Sequence, residues 1–153
     1  MEKVSENKLD WALLVLRIFF LGLIFHGVSK LMNIAGTTKF FAGLGIPFAP
    51  VFAIVEPLVE VFGSLSLLVG FETTISGILV AISLFVAVLL AVLPRAFSSP
   101  MGGPAPTDPV SMIMALITTL LGVEAAYVLI AVSLVLTGPG KFSVKSLMGK
   151  KGA

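Results

Sequence analysis

Four long apolar runs, at about 11–31, 48–71, 74–93 and 110–137, leave this chain few ways to fold. Each is long enough to cross a hydrocarbon core ~30 Å thick at ~1.5 Å of rise per helical residue. A water-soluble bundle would have to hide all of them, and 58% hydrophobic residues against 12% charged leaves too little polar surface to do so. An ordinary soluble domain carries about 25% charged residues. The expected fold class is all-α: an integral membrane antiparallel four-helix bundle, one domain over 1–153, with a short interfacial amphipathic segment between its first two helices. No separate soluble catalytic domain fits. Any active site must lie in the bundle, on a short loop or on a partner subunit.

There is no cysteine, and His26 is the single histidine. Disulfides, thiolate nucleophiles, CxxC redox pairs, iron–sulfur clusters and covalent haem attachment are excluded. One histidine also excludes a His-rich metal site or a bis-His haem within one chain, and no metal site is expected. The net charge of +2 gives no nucleic-acid signal. The basic C-terminal tail beside a span is expected to set topology or to meet anionic lipid, and membrane lipid is the expected partner. The N-terminal run is too long for a signal peptide, is interrupted by Arg17 and has no small-residue cleavage site after it, so it reads as a retained first span. Lys3, Lys8, Lys141, Lys145, Lys150 and Lys151 belong to the terminal face, and Lys30, Lys39 and Arg95 to the opposite one. That bias predicts a multi-pass protein of the cell membrane with both termini cytoplasmic.

Punctuation along the chain supports these boundaries. Asn7 or Asp10 is placed to cap the first helix. Phe40, Phe41, Leu44 and Ile46 suggest the interfacial segment, broken by Gly43, Gly45 and Pro47. The second helix follows Pro50 and ends near Gly70; the brief GFETT turn makes a hairpin with the third, which Thr73 or Thr74 can cap. After Leu93-Pro94 comes an irregular proline- and glycine-rich loop. Asp108-Pro109 resembles an N-cap followed by a first-turn proline. The run 110–137, at ~42 Å of helix, is longer than a minimal span. It must tilt, project or break near Gly122.

Arg17, His26, Glu56, Glu60 and Glu124 interrupt the apolar runs, where charge is unfavourable. Counted from Trp11, Arg17 lies ~9 Å deep and His26 ~22 Å deep, with Lys30 at the far boundary. Glu56 and Glu60 share a helix face, and Glu60 lies ~14 Å in from the opposite side. This predicts an ion pair between Arg17 and Glu60. It also predicts a polar cavity in the outer half of the bundle, lined by His26, Glu60 and Glu124 with Lys30 and Glu56 at its rim. The competing reading is a set of separate pairwise hydrogen bonds without a cavity, in which Lys30 is a snorkelling anchor and His26 an interhelical hydrogen-bonder. Gly22, Gly27, Gly63, Ser64, Ser66 and Gly77 read as packing positions.

The run LRIFFLGLIFHGVSKL, with Arg17, Gly22, His26, Gly27, Lys30 and Leu31, resembles the first span of the DoxX family. The resemblance continues through Phe41, Leu44, Gly45 and Pro47, then Glu60, Gly63, Leu67, Leu68, Gly70 and Thr73. It ends at Gly122, Glu124 and Gly138-Pro139-Gly140. Glu56 departs from it, at a position usually small or apolar. Val110–Leu121 is longer and more apolar than usual, and GPGKFSV replaces the commoner GPGRYSLD. The resemblance implies a four-helix membrane protein. The family takes its name from the small subunit of a thiosulfate:quinone oxidoreductase. The expected function is a membrane subunit or accessory protein of a redox, quinone-linked system, with quinone as the candidate cofactor and a redox subunit as the candidate partner. The chain carries no redox-active group of its own, so electrons must come from a partner or bound cofactor. The alternative is a non-enzymatic membrane assembly, carrier or lipid-binding protein. A homo-oligomer is compatible with either, and fold carries over better than function.

Overall fold

The computed structural model describes residues 2–94, 107–120 and 122–149, and among these there are helices and no strands. Helix α1 (Glu2–Ile18) and α2 (Phe20–Met32) form one nearly continuous rod, and Lys8–Met32 is long and apolar enough to cross a membrane. Neither Asn7 nor Asp10 caps it, because the helix begins at Glu2 and runs through both. A short α3 (Ile34–Gly43) follows, capped by the Asn33 side chain, which accepts from the Gly36 amide at 3.1 Å. Next come α4 (Ala49–Val69), with Pro50 in its first turn, and α5 (Thr73–Ala87), which continues through a π-helical stretch at Val88–Val92. Ala49–Val69 and Thr73–Val92 are the other two helices of spanning length.

The turn between α4 and α5 is a helix stop. Gly70 takes a left-handed conformation (φ 73°), the Phe71 amide donates back to the Ser66 carbonyl at 2.9 Å, and the Ser66 hydroxyl donates to the Phe71 carbonyl. Glu72, also left-handed at φ 42°, stands where the cap of α5 would be. Thr73 is already helical and buried, so neither threonine caps the helix.

The run 110–137 breaks. Helix α6 (Pro109–Leu120) and α7 (Val123–Thr137) are separated at Gly122, which is extended (φ −64°, ψ 168°). Glycine is the weakest helix former after proline. At 15 residues, α7 falls short of a full span. Among the described residues three helices are of spanning length. Asp108 does cap α6: its Oδ1 accepts from the amides of Val110 and Ser111, both at 3.0 Å. The preceding loop lies largely outside the described residues.

Two apolar clusters hold the helices together. Leu13, Phe20, Leu23, Leu67, Val80 and Ala131 belong to the main one. Phe41 of α3 packs with Ala49 and Ala53 of α4 in the second, so the apolar face expected there is used against α4. Close approach comes from glycine. A Cβ on Gly27 would stand 2.8 Å from Val61 and 3.0 Å from the Pro57 carbonyl oxygen, and one on Gly63 would stand 2.5 Å from Val80. Phe25, Met32, Phe48, Phe62 and Leu136 remain exposed. An exterior this apolar is matched to hydrocarbon rather than water.

Candidate functional site

Helix α2 packs lengthwise on α4, and the contact at Gly27 brings Glu60 Cβ within 3.1 Å of where a Cβ would be. Lys30, one turn beyond His26, therefore reaches across onto α4. Its Nζ lies 2.7 Å from Glu56 Oε1 and 2.9 Å from Glu60 Oε1. The Glu60 side chain is 1% exposed, whereas Lys30 and Glu56 are 17% and 16% exposed. The second oxygens, Oε2, of both carboxylates are buried without a hydrogen-bond partner, as is the hydroxyl of Ser64 one turn further along α4. Thr37 anchors α3 to the end of α2 by donating from its hydroxyl to the carbonyls of Lys30 (3.1 Å) and Asn33 (3.0 Å).

Lys30 was expected at the rim or as a snorkelling anchor; it is the hub. Its ammonium turns inward to meet two carboxylates, which supply the attraction and the acceptors that a cation taken out of water needs. His26 is exposed on α2, yet within electrostatic reach of Lys30, Glu56 and Glu124. Glu124 is half-buried in the first turn of α7, where the helix dipole favours an anion. The break at Gly122 creates that terminus. The five residues thus gather at one end of the molecule, with Glu60 deepest.

Arg17 is the exception, and the expected Arg17–Glu60 pair does not form. The Arg17 guanidinium is buried against Gly70, about ten residues and ~15 Å along α4 from Glu60. Its Nη2 donates to the Phe142 carbonyl at 2.8 Å, while Nε and Nη1 are buried without a partner. Helix α1 continues well before Trp11, so Arg17 stands level with the 70–72 turn rather than with Glu60. The tail after α7 folds over it. The Lys141 amide donates to Asp10 Oδ1 at 2.9 Å, the two side chains pair at 3.3 Å, and the rings of Trp11 and Phe142 lie 4.8 Å apart. Ser143, fully buried, caps the short α8 (Val144–Gly149). The C-terminal end of α4 at Gly70 lies beside the guanidinium, and the negative end of a helix dipole suits a buried cation.

Tyr127 was missed. Its hydroxyl donates at 3.0 Å to the Phe19 carbonyl, which also accepts from the Gly22 amide at 3.1 Å, and it occupies the space a side chain on Gly22 would fill. Tyr127 is the sole tyrosine, and glycine at 22 marks a close approach; nothing in the sequence pairs the two. Among the described residues no group of three or more His, Asp or Glu is arranged to hold a metal. An open groove of about 600 Å³ runs along α4 and α5, lined by Val55, Phe62, Phe71, Ile75 and Leu79, on the side of α4 away from Glu60.

The sequence model of the DoxX family matches residues 12–93, more than half of the chain, and the protein belongs to that family. The match contains Arg17, His26, Lys30, Glu56 and Glu60, and stops short of Glu124 and the tail. The chain is 34% identical over 86 residues to a Bacillus subtilis (strain 168) protein named "Putative oxidoreductase CatD". The alignment covers 55% of this chain and 62% of that one, so the chain spans somewhat under two thirds of the relative's length. No solved structure matches.

Proposed function

We propose that this protein is a membrane subunit or accessory protein of a redox system and that it contacts quinone beside the Lys30–Glu56–Glu60 cluster. The observation that carries the reading is a charged cluster buried between two helices of spanning length, in a protein similar to one named "Putative oxidoreductase CatD". A bound quinone would supply two-electron, two-proton chemistry, with electrons delivered by a partner subunit. Lys30 offers an ammonium donor to an oxygen acceptor. Glu60 and Glu56 hold protons or accept them, and His26, within electrostatic reach of both Glu56 and Glu124, acts as a relay. We place the site in a polar cavity of an antiparallel four-helix arrangement in the cell membrane, with the broken 110–137 segment as its fourth wall and both termini cytoplasmic. The short 70–72 turn and the lysine bias support that arrangement.

Quinone extracted from protein purified in native lipid tests the reading. Wild type should carry it in excess over bulk lipid, and Lys30→Met should not. The alternative is a non-enzymatic assembly, carrier or lipid-binding protein, favoured by the apolar groove on α4 and α5. Copurifying phospholipid without quinone would decide for it. Orientation is tested separately by introducing single cysteines near 104 and 150 into this cysteine-free chain. Labelling from the outside should reach 104 and not 150.

A further inference from the structure

We infer that the Lys30–Glu56–Glu60 cluster is a proton-binding site whose two carboxyl groups hold one exchangeable proton between them. The argument is a charge count at a buried place. Lys30 brings one positive charge, and Glu56 and Glu60 bring two negative ones to the same ammonium, at 2.7 and 2.9 Å. One negative charge is left over. Both Oε2 atoms are buried, and no donor group of the described residues reaches either one, so the protein itself offers nothing to offset it. A proton does both things at once: it removes the surplus charge and supplies the missing O–H donor.

No other neighbour performs that task among the described residues. From α2 the only titratable groups at this end are Lys30 and His26, and His26 is exposed. Helix α4 contributes Glu56 and Glu60 alone, α3 contributes only the exposed Lys39, and α5 has no titratable residue. From α1, Arg17 lies at the far end beside Gly70. From α7 comes Glu124, a further negative charge near His26. Glu56 is the decisive residue, since without it Lys30 and Glu60 would be a neutral pair with no call for a proton. Uptake turns one carboxylate into a carboxyl group and takes the cluster from a charge of −1 to neutral. Release reverses this and hands the proton to water or a bound base at the part-exposed Glu56 side. The proposal uses the same cluster as the redox reading but no quinone, so either can fail while the other stands.

Infrared difference spectroscopy on the full chain in liposomes, exchanged between H₂O and D₂O at neutral pH, reads the carboxyl C=O band directly. Wild type should show one deuterium-sensitive carboxyl. Glu60→Gln and Glu56→Gln should each abolish it, because each leaves a neutral pair. Lys30→Met should double it, as two carboxylates without a cation both take protons. Glu72→Gln, half-buried at the other end beside Lys145, should leave it unchanged. A wild-type spectrum without the band, or a band that survives Glu56→Gln, overturns the proposal. So does a band that vanishes when sodium chloride replaces choline chloride, which would assign the site to an alkali cation. Should Lys30→Met fail to fold, wild type and the part-exposed Glu56→Gln still decide.

Discussion

Lys30 on α2 and Glu60 on α4 meet at 2.9 Å with the carboxylate 1% exposed, and the contact rests on Gly27, whose missing side chain lets the two helices close. A glycine one turn before a lysine is thus the sequence device that sets a charge inside the bundle. The same contact places Glu56 at the edge of the site, where it shares the ammonium and keeps a path to the surface.

Removing one partner of this pair should cost more than removing both. Lys30→Met is expected to destabilise the folded protein by about 3–5 kcal/mol at alkaline pH, because Glu60 is left charged and buried. Adding Glu60→Gln should recover part of the loss, with a coupling of about 0.5–3 kcal/mol. At acid pH the single variant should lose less, since the carboxyls are then neutral. Thermal unfolding in detergent across pH measures all of this. Equal and additive losses at every pH would refute the pair.

The sequence made much of this legible. Run length and composition marked the first three spans, and i, i+4 spacing put Glu56 beside Glu60. Asp108-Pro109 announced its helix start, and Gly27, Gly63 and Gly77 announced close packing. Partner choice was not legible, because depth counted along a helix needs a zero and Trp11 was the wrong one. Lys30 was set at the boundary by its backbone, although its flexible stem reaches back to Glu60. The Gly122 break could be suspected but not decided. Tyr127 and the folded-back tail depend on contacts more than 100 residues apart in sequence, which no local pattern encodes.

Gly22 and Tyr127 should behave as one unit. Gly22→Ala puts a methyl group where the Tyr127 hydroxyl lies, so it should cost about 1 kcal/mol, the worth of the hydrogen bond to Phe19 that must give way. In a Tyr127→Phe background, where that hydroxyl is gone, the same change should cost much less. Additive losses in the double variant would show that the hydroxyl is not what the methyl group meets.

Asp108 should make the start of α6 sensitive to acid. Hydrogen bonds from the Ser111 amide, then from its hydroxyl, hold the carboxyl below the usual aspartate range. A carboxylate with a depressed folded value contributes stability above its unfolded value and loses it as pH falls through the folded one. Amide exchange at Val110 and Ser111, once corrected for the intrinsic pH dependence, should therefore lose protection at acid pH. Asp108→Asn caps without titrating and should remove that dependence. A pH response unchanged in the asparagine variant would show that another group controls the turn.

Gly70 is expected to be the most sensitive position at the Arg17 end. Its φ of 73° is left-handed, where a side chain costs roughly 1–2 kcal/mol by itself. A Cβ there would also meet Arg17 Nη1, and would stand 2.5 Å from Ser143 Cβ and 3.1 Å from Pro139 Cβ. Gly70→Ala must therefore push Arg17 and the tail apart, opening the hydrogen bond to Phe142 and the Asp10–Lys141 contacts that depend on the same fold-back. Limited proteolysis should then cut near Lys141 and Lys145 in the variant and spare wild type. Asp10→Asn, which weakens the salt bridge while keeping an acceptor for the Lys141 amide, should give a milder version of the same cleavage. A tail equally protected in Gly70→Ala would mean that its anchorage does not run through Arg17.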